Sequence, residues 1–306
     1  MTAHAAVAPQ TRTLSGFFRD LTMLSKPGIT VFNVMTATGG LWLGRHAALT
    51  AENAPAVHAF GALLGIAMIV AGANTLNQVI ERDIDKHMRR TQQRPLPSGR
   101  MHMRTALIFG VALSVAAVPV LLLSTNVLTA FLAALAHLLY VLAYTPLKQR
   151  SHHSLLVGAV PGAIPPLLGW TAATGKLDAA GLVLFGILFL WQVPHFLAIA
   201  LFRAQDYAAA GLFVMPNVRT DAQVKHTIAS YTLGLVLVSL LLVPLGVTGG
   251  VYLLGAAAFG FAFLGVALLG FLAPAGNVRW PRSLFLASLL YLMAIVGVLV
   301  LDVVIA

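Results

Sequence analysis

Apolar residues run in long blocks along this chain, separated by short polar segments. A membrane-spanning helix needs about 20 mostly apolar residues. Nine blocks meet that need: residues 27–44, 57–80, 105–123, 127–144, 155–172, 179–201, 227–247, 251–272 and 283–304. The pattern predicts an all-α, polytopic membrane protein of nine transmembrane helices. The fifth block contains Pro161, Pro165 and Pro166 within "GAVPGAIPPLLGW". Prolines inside a helix remove backbone donors and clash with the preceding turn, so they should kink or break this span. Broken backbone at membrane depth is tolerated where it packs in protein or lines a cavity.

Composition strengthens the membrane reading. Of 306 residues, 59% are hydrophobic and only 9% charged, against about 25% charged in a typical soluble domain. There is no cysteine, which excludes disulfides and thiolate metal sites. The net charge of +10 would suit nucleic acid in a soluble protein, but here it marks loops held on one side of a bilayer, and no nucleic-acid partner is expected. All but two of the 19 Lys and Arg residues precede the first block or follow an even-numbered one; Arg45 and Lys176 are the exceptions. Eight or ten spans would spoil this segregation. The positive-inside rule then places the N-terminus in the cytoplasm and the C-terminus outside. Residues 1–10 lack the basic-then-apolar order of a cleaved signal peptide. A single domain over 1–306 is expected, with 1–16 as a disordered tail.

Chemistry-bearing residues gather where the second block ends, in "NQVIERDIDKHMRRTQQRPLPSGR", residues 77–100. If the helix continues past Ile80, then Asn77, Glu81 and Asp85 recur every four residues, share one face, and cover about 12 Å of it. Asp83 points elsewhere. Two carboxylates and an amide oxygen on one face repel one another unless a cation sits among them, and oxygen ligands of this kind suit Mg²⁺. The alternative is a solvated helix end with acids among anchoring arginines. Arg89, Arg90, Arg94 and Arg100 could clamp an anion. They could equally meet lipid headgroups or enforce topology.

A second polar group follows the sixth block, in "LWQVPHFLAIALFRAQDYAAAG". Gln192 and His195 lie within the span; Arg203, Asp206 and Tyr207 stand at its exit. The second and sixth spans run in the same direction, so both polar ends open on one face. The fourth span ends there too, with Tyr144 and Lys148 in "YTPLKQR". An intramembrane histidine is either functional or an interhelical hydrogen bond. His137 reads as the second kind, and His195 is open between the two. His152 and His153 read as a solvated loop pair rather than a metal pair.

Together these segments resemble the intramembrane aromatic prenyltransferase (UbiA-like) superfamily. Asn77, Glu81 and Asp85 match its Asn-x3-Asp-x3-Asp motif, with Glu in the middle place. Residues 94–99, "RPLPSG", look like its following loop, and Tyr144-x3-Lys148 looks like its Tyr-x3-Lys motif. The family's second acidic motif is altered: Arg203 and Tyr207 hold the acidic places, with Asp206 between. The segments "YTPLKQRS", "GAIPPLLGWTAATG" and "WQVPHFLAIALFRAQDYAAAG", at the end of the fourth span and within the fifth and sixth, resemble the haem branch of the superfamily.

The resemblance implies nine helices around a central cavity open to the cytoplasmic side of the bacterial inner membrane. It implies transfer of a farnesyl group from farnesyl diphosphate to a vinyl group of haem B, with Mg²⁺ held by Asn77, Glu81, Asp85 and Asp206. Lys148, Arg94, Arg100 and Arg203 would offset diphosphate charge, Tyr144 would donate a hydrogen bond, and His195 with Gln192 would meet haem. Partners implied are the two substrates, the bilayer and a downstream haem A synthase. The rival readings are a relative acting on an aromatic acid or quinone precursor, and a secondary transporter with a midplane ion site.

Overall fold

The computed structural model describes residues 13–49, 58–88, 90–148, 150–209, 211 and 213–305, and among these there is no strand. Helices α1 (Leu14–Leu24), α2 (Pro27–Leu49), α3 (Ala59–Ile80) and the one-turn α4 (Arg82–Asp85) lead to α5 (Met103–Ser124) and α6 (Val127–Leu138). A π-helical turn, Leu139–Tyr144, joins α6 to the short α7 (Thr145–Leu147). There follow α8 (Ser154–Thr174), α9 (Ala179–Phe202), the short α10 (Ala204–Ala209) and α11 (Met215–Val218), α12 (Asp221–Leu240), α13 (Gly250–Leu268) and α14 (Arg279–Ile305).

Polar side chains set the ends of these apolar rods, because the first four N–H groups of a helix lack internal partners. Asn126 accepts from Thr129 N at 2.9 Å to start α6, and Asp178 accepts from Gly181 N at 3.0 Å to start α9. Thr220 and Gln223 form a reciprocal capping box at α12. Gly175, in the left-handed region at φ 69°, ends α8.

Seven of the described helical segments are long and apolar enough to cross a membrane: Ala59–Ile80, Met103–Ser124, Val127–Leu147, Ser154–Thr174, Ala179–Phe202, Gly250–Leu272 and Arg279–Ile305. By that measure nine spans are not confirmed. Helices α2 and α12 have the length but not the apolarity: α2 carries Asn33, four glycines and three threonines, and α12 begins with Asp221, Gln223 and Lys225. The molecule is apolar on its outside. Phe60, Leu123 and Leu272 are among many exposed large hydrophobic residues, a surface that only lipid satisfies. The protein is a multi-pass membrane protein.

Two expectations meet a different structure. Helix α8 is continuous through Pro161, Pro165 and Pro166. Close packing accounts for this: a Cβ on Gly169 would stand 1.9 Å from Ala37 O, and one on Gly40 1.9 Å from Pro166 O. Small residues let α2 lie against α8, and neighbouring helices hold a proline-bearing helix together in a membrane. The stretch 1–16 read as a tail contains the start of α1, capped by Thr13, while residues 1–12 lie outside the described residues.

Helix α3 packs on α5, α2 on α8, and α9 on α8, α12 and α14. Between them lies a cavity of about 550 Å³, lined from α2, α3, α6, α8 and α9 and from the loop after α4.

Candidate active site

Helix α3 ends at Ile80, yet its hydrogen-bond ladder carries on. Glu81 N donates to Asn77 O, and Asp85 N donates to Glu81 O, both at 2.9 Å. The three residues therefore keep their helical register across the joint with α4. All three are buried and line the cavity. Asp83 stands outside, paired with Lys86 at 2.7 Å and Arg82 at 3.3 Å.

Each inward acceptor meets a cation from elsewhere in the chain. Lys148 Nζ lies 3.1 Å from Glu81 Oε1, an Arg94 guanidinium N–H donates to Asp85 Oδ2 at 2.7 Å, and Lys26 Nζ donates to Asn77 Oδ1 at 2.6 Å. The π-helical turn after α6 sets the Tyr140 and Tyr144 rings 5.3 Å apart, tilted by 36°, and brings both, with Lys148, to the cavity. Such turns recur at functional sites because they re-aim side chains. Arg90 also lines the cavity, with no acidic partner among the described residues. Arg89 lies outside them.

Lys26 was not singled out by sequence reasoning. It sits between α1 and α2 with φ 46°, a strained setting for a residue with a Cβ and one that structures maintain chiefly at functional sites. Burial pulls its ammonium down to about 7, with Glu81 opposing. The only signal in the sequence was its place immediately before Pro27.

The lining carries Arg90, Arg94 and Lys148 against Glu81 and Asp85, with Lys26 partly charged beside them, a surplus of between one and two positive charges. That surplus fits a polyanion. The donor set fits Mg²⁺ as well, since two carboxylates and one amide offer only oxygen. Among the described residues no three His, Asp or Glu side chains form a metal cluster, so an ion here would complete its shell with water and substrate oxygens, as Mg²⁺ commonly does.

Other expected site residues are placed differently. Asp206 pairs with Arg203 at 3.2 Å on a half-exposed surface, and neither lines the cavity, although Tyr207 does. Arg100 is held by Asp20 of α1 at 3.3 Å and by Gln93 O at 3.0 Å, also off the cavity. The His152 and His153 rings lie 4.1 Å apart outside it.

The cavity becomes apolar away from its charged end, with Phe32, Ile69, Val70, Ile164 and Leu168 in its wall. Ile69 precedes Asn77 by eight residues, about 12 Å along α3. Gln192, His195 and His137 are among the polar groups of this deeper wall. Gln192 Nε2 donates to Ala159 O at 3.2 Å and Leu188 O at 3.1 Å. His195 is stacked on Trp191 at 4.6 Å, lies 4.9 Å from the Phe285 ring, and has Nδ1 2.7 Å from Ser288 Oγ.

A cationic, oxygen-lined mouth over an apolar pocket, set among membrane helices, suits an amphiphile with an anionic head. The family model of the UbiA prenyltransferase family matches residues 33–298, and the chain belongs to that family. It is a membrane prenyltransferase. Its relatives include protoheme IX farnesyltransferase of Sorangium cellulosum, 49% identical over 88% of this chain and 99% of the relative. The enzyme of the same name from Myxococcus xanthus is 46% identical over 92% of this chain and 94% of its own length. Among solved structures, one of digeranylgeranylglyceryl phosphate synthase superposes with a TM-score of 0.80 at 15% identity, covering 94% of this chain and 99% of the other. A UbiA homolog from Archaeoglobus fulgidus bound to GPP and Mg2+ superposes at 0.68, also at 15% identity, over 92% of this chain and 99% of the other. At that identity the structures show a shared fold. Family membership sets aside the transporter reading.

Proposed function

We propose that the chain transfers a farnesyl group from farnesyl diphosphate to a vinyl group of haem B, giving haem O and diphosphate. The likeness to protoheme IX farnesyltransferases over most of the chain carries this reading against an aromatic acid or quinone precursor as acceptor. The cavity supports it, joining a cationic end to an apolar chamber with a histidine in its wall.

Asn77, Glu81 and Asp85 would hold Mg²⁺, which supplies Lewis-acid neutralisation of the leaving diphosphate. Asp206 faces away with Arg203, and its part in metal binding needs α10 to turn inward. Lys148, Arg94 and Lys26 balance the remaining diphosphate charge, and Tyr144 donates a hydrogen bond. Arg100 and Arg203, off the lining, would act only on diphosphate arriving at the mouth. These groups stabilise charge that develops as the allylic C–O bond breaks and its electron pair leaves with diphosphate. The haem vinyl π electrons then attack C1 of the farnesyl cation. Water adds at the resulting carbocation beside the porphyrin ring and gives its proton to solvent, leaving the hydroxyl of haem O. The apolar wall keeps water from capturing the farnesyl cation first. Gln192 and His195 would face the haem, and a downstream haem A synthase would take the product.

Mass spectrometry of haem products decides the reading. Purified protein given haem B, farnesyl diphosphate and Mg²⁺ should yield haem O. Prenylation of 4-hydroxybenzoate instead would select the rival acceptor class.

Lys26→Met should raise the Kd for farnesyl diphosphate about 10- to 100-fold, the range for losing one charged hydrogen bond. Radiolabelled diphosphate binding in detergent measures this, and an unchanged Kd would remove Lys26 from the anion site.

The charge segregation supports a charged mouth on the cytoplasmic side of a bacterial inner membrane. Ser98 is exposed in the loop after α4. A cysteine at Ser98 should react with an impermeant thiol reagent in inside-out vesicles and stay unlabelled in intact cells. The reverse pattern would invert the topology.

A further inference from the structure

Ser288 of α14 meets His195 of α9 across 93 residues of sequence. Its hydroxyl makes two short contacts: Oγ lies 2.6 Å from Phe285 O and 2.7 Å from His195 Nδ1. A hydroxyl has one proton to give. Phe285 O is a carbonyl and can only accept. If the proton went to the imidazole, two lone-pair-bearing oxygens would face each other at 2.6 Å with no hydrogen between. Both contacts are hydrogen bonds only when Ser288 donates to Phe285 O and accepts from Nδ1–H. The neutral imidazole then carries its lone pair on Nε2.

The rest of the contact holds that ring still. Trp191 Nε1 donates to Ser288 O at 2.7 Å, so the indole stacked on His195 is tied to the same residue. Phe285 covers the imidazole from α14. Nε2 has no protein partner among the described residues, and His195 lines the cavity. A neutral Nε2 lone pair is an acceptor. A haem propionate is also an acceptor when ionised, so the two would repel. An iron centre takes a lone pair, and ligating histidines almost always donate their other ring N–H to a fixed partner.

We infer that Ser288 is a positioning residue that fixes the Nδ1–H tautomer of His195, so that Nε2 serves as an axial ligand to the iron of the haem substrate. This rests on the haem reading proposed above and excludes the propionate role for His195.

Ferric haem B alone is the probe, titrated into purified protein in detergent and followed by the Soret band and by the resonance Raman iron–histidine stretch after reduction. Wild type should show histidine ligation. His195→Gly should lose it, and added imidazole should restore it. Ser288→Ala should weaken haem binding about 10- to 100-fold and shift the iron–histidine stretch. Ser288→Thr, which keeps the hydroxyl, should return both towards wild type. Unchanged affinity and stretch in Ser288→Ala would overturn the positioning role. An unchanged spectrum in His195→Gly would overturn ligation. A wild-type protein that makes haem O without a histidine signal would overturn this inference alone. One that makes no haem O would overturn the haem reading, and this inference with it.

Discussion

Glu81→Gln and Asp85→Asn should each lower farnesyl transfer by about 10²–10³-fold, the usual scale for removing one group that stabilises developing charge. Both substitutions keep size and remove charge from the face that lines the cavity. Both leave a cation, Lys148 or Arg94, without its acid. Insertion and folding should nonetheless survive, since an amide oxygen still accepts from that cation. Asp83→Asn is the internal control. It sits three residues or fewer from each of the others but points outward, paired with Lys86. Its activity should stay within a few-fold of wild type, because exposed ion pairs contribute little. Initial rates of haem O formation at several Mg²⁺ concentrations measure all three variants. Equal losses at the three positions would show that proximity to the helix end, and not the shared face, is what counts.

Lys148→Met should cost both stability and turnover, and the two losses can be separated. The Lys148 ammonium pairs with Glu81 at 3.1 Å, with side-chain exposures of 28% and 6%. Removing one partner of a largely buried pair leaves an uncompensated charge, at a cost of about 3 kcal/mol. Losing the cation nearest Tyr144 should also slow diphosphate departure by about 10²-fold. The double variant Glu81→Gln/Lys148→Met removes both charges. It should recover most of the thermal stability in detergent and none of the turnover. Activity that returned with stability would mean that the pair only holds the end of α3 to the end of α7.

The acidic face was legible because its geometry is local. A helix places residues four apart on one side whatever it packs against, and the ladder from Asn77 through Glu81 to Asp85 keeps that register over the joint at Ile80. Tyr144 and Lys148 follow the same rule, even though Tyr144 itself closes a π-helical turn. The bilayer constraint made the apolar spans readable for a similar reason, since length and polarity are properties of each segment alone. Where the reading of the prolines diverged, the cause was a neighbour. Pro161, Pro165 and Pro166 would break an isolated helix, yet α8 stays whole against α2, where Gly40 and Gly169 allow backbone contact. Asp206 and Arg203 stand next to the expected second motif, but their mutual ion pair and the short α10 turn them from the cavity.

The sequence by itself determined that this is a helical membrane protein with an oxygen-rich face at the end of its second span. Only the tertiary structure decided which cations meet those oxygens. Lys26 reaches Asn77 across 51 residues, and Lys148 reaches Glu81 across 67. It likewise decided that the intramembrane histidine answers to a serine on the last helix. Helix periodicity is written into each short stretch of backbone, whereas the rotation of one helix against another comes from the sum of many weak packing contacts along both. No local window of residues holds that sum, so the partners of the site emerge only when the helices are assembled.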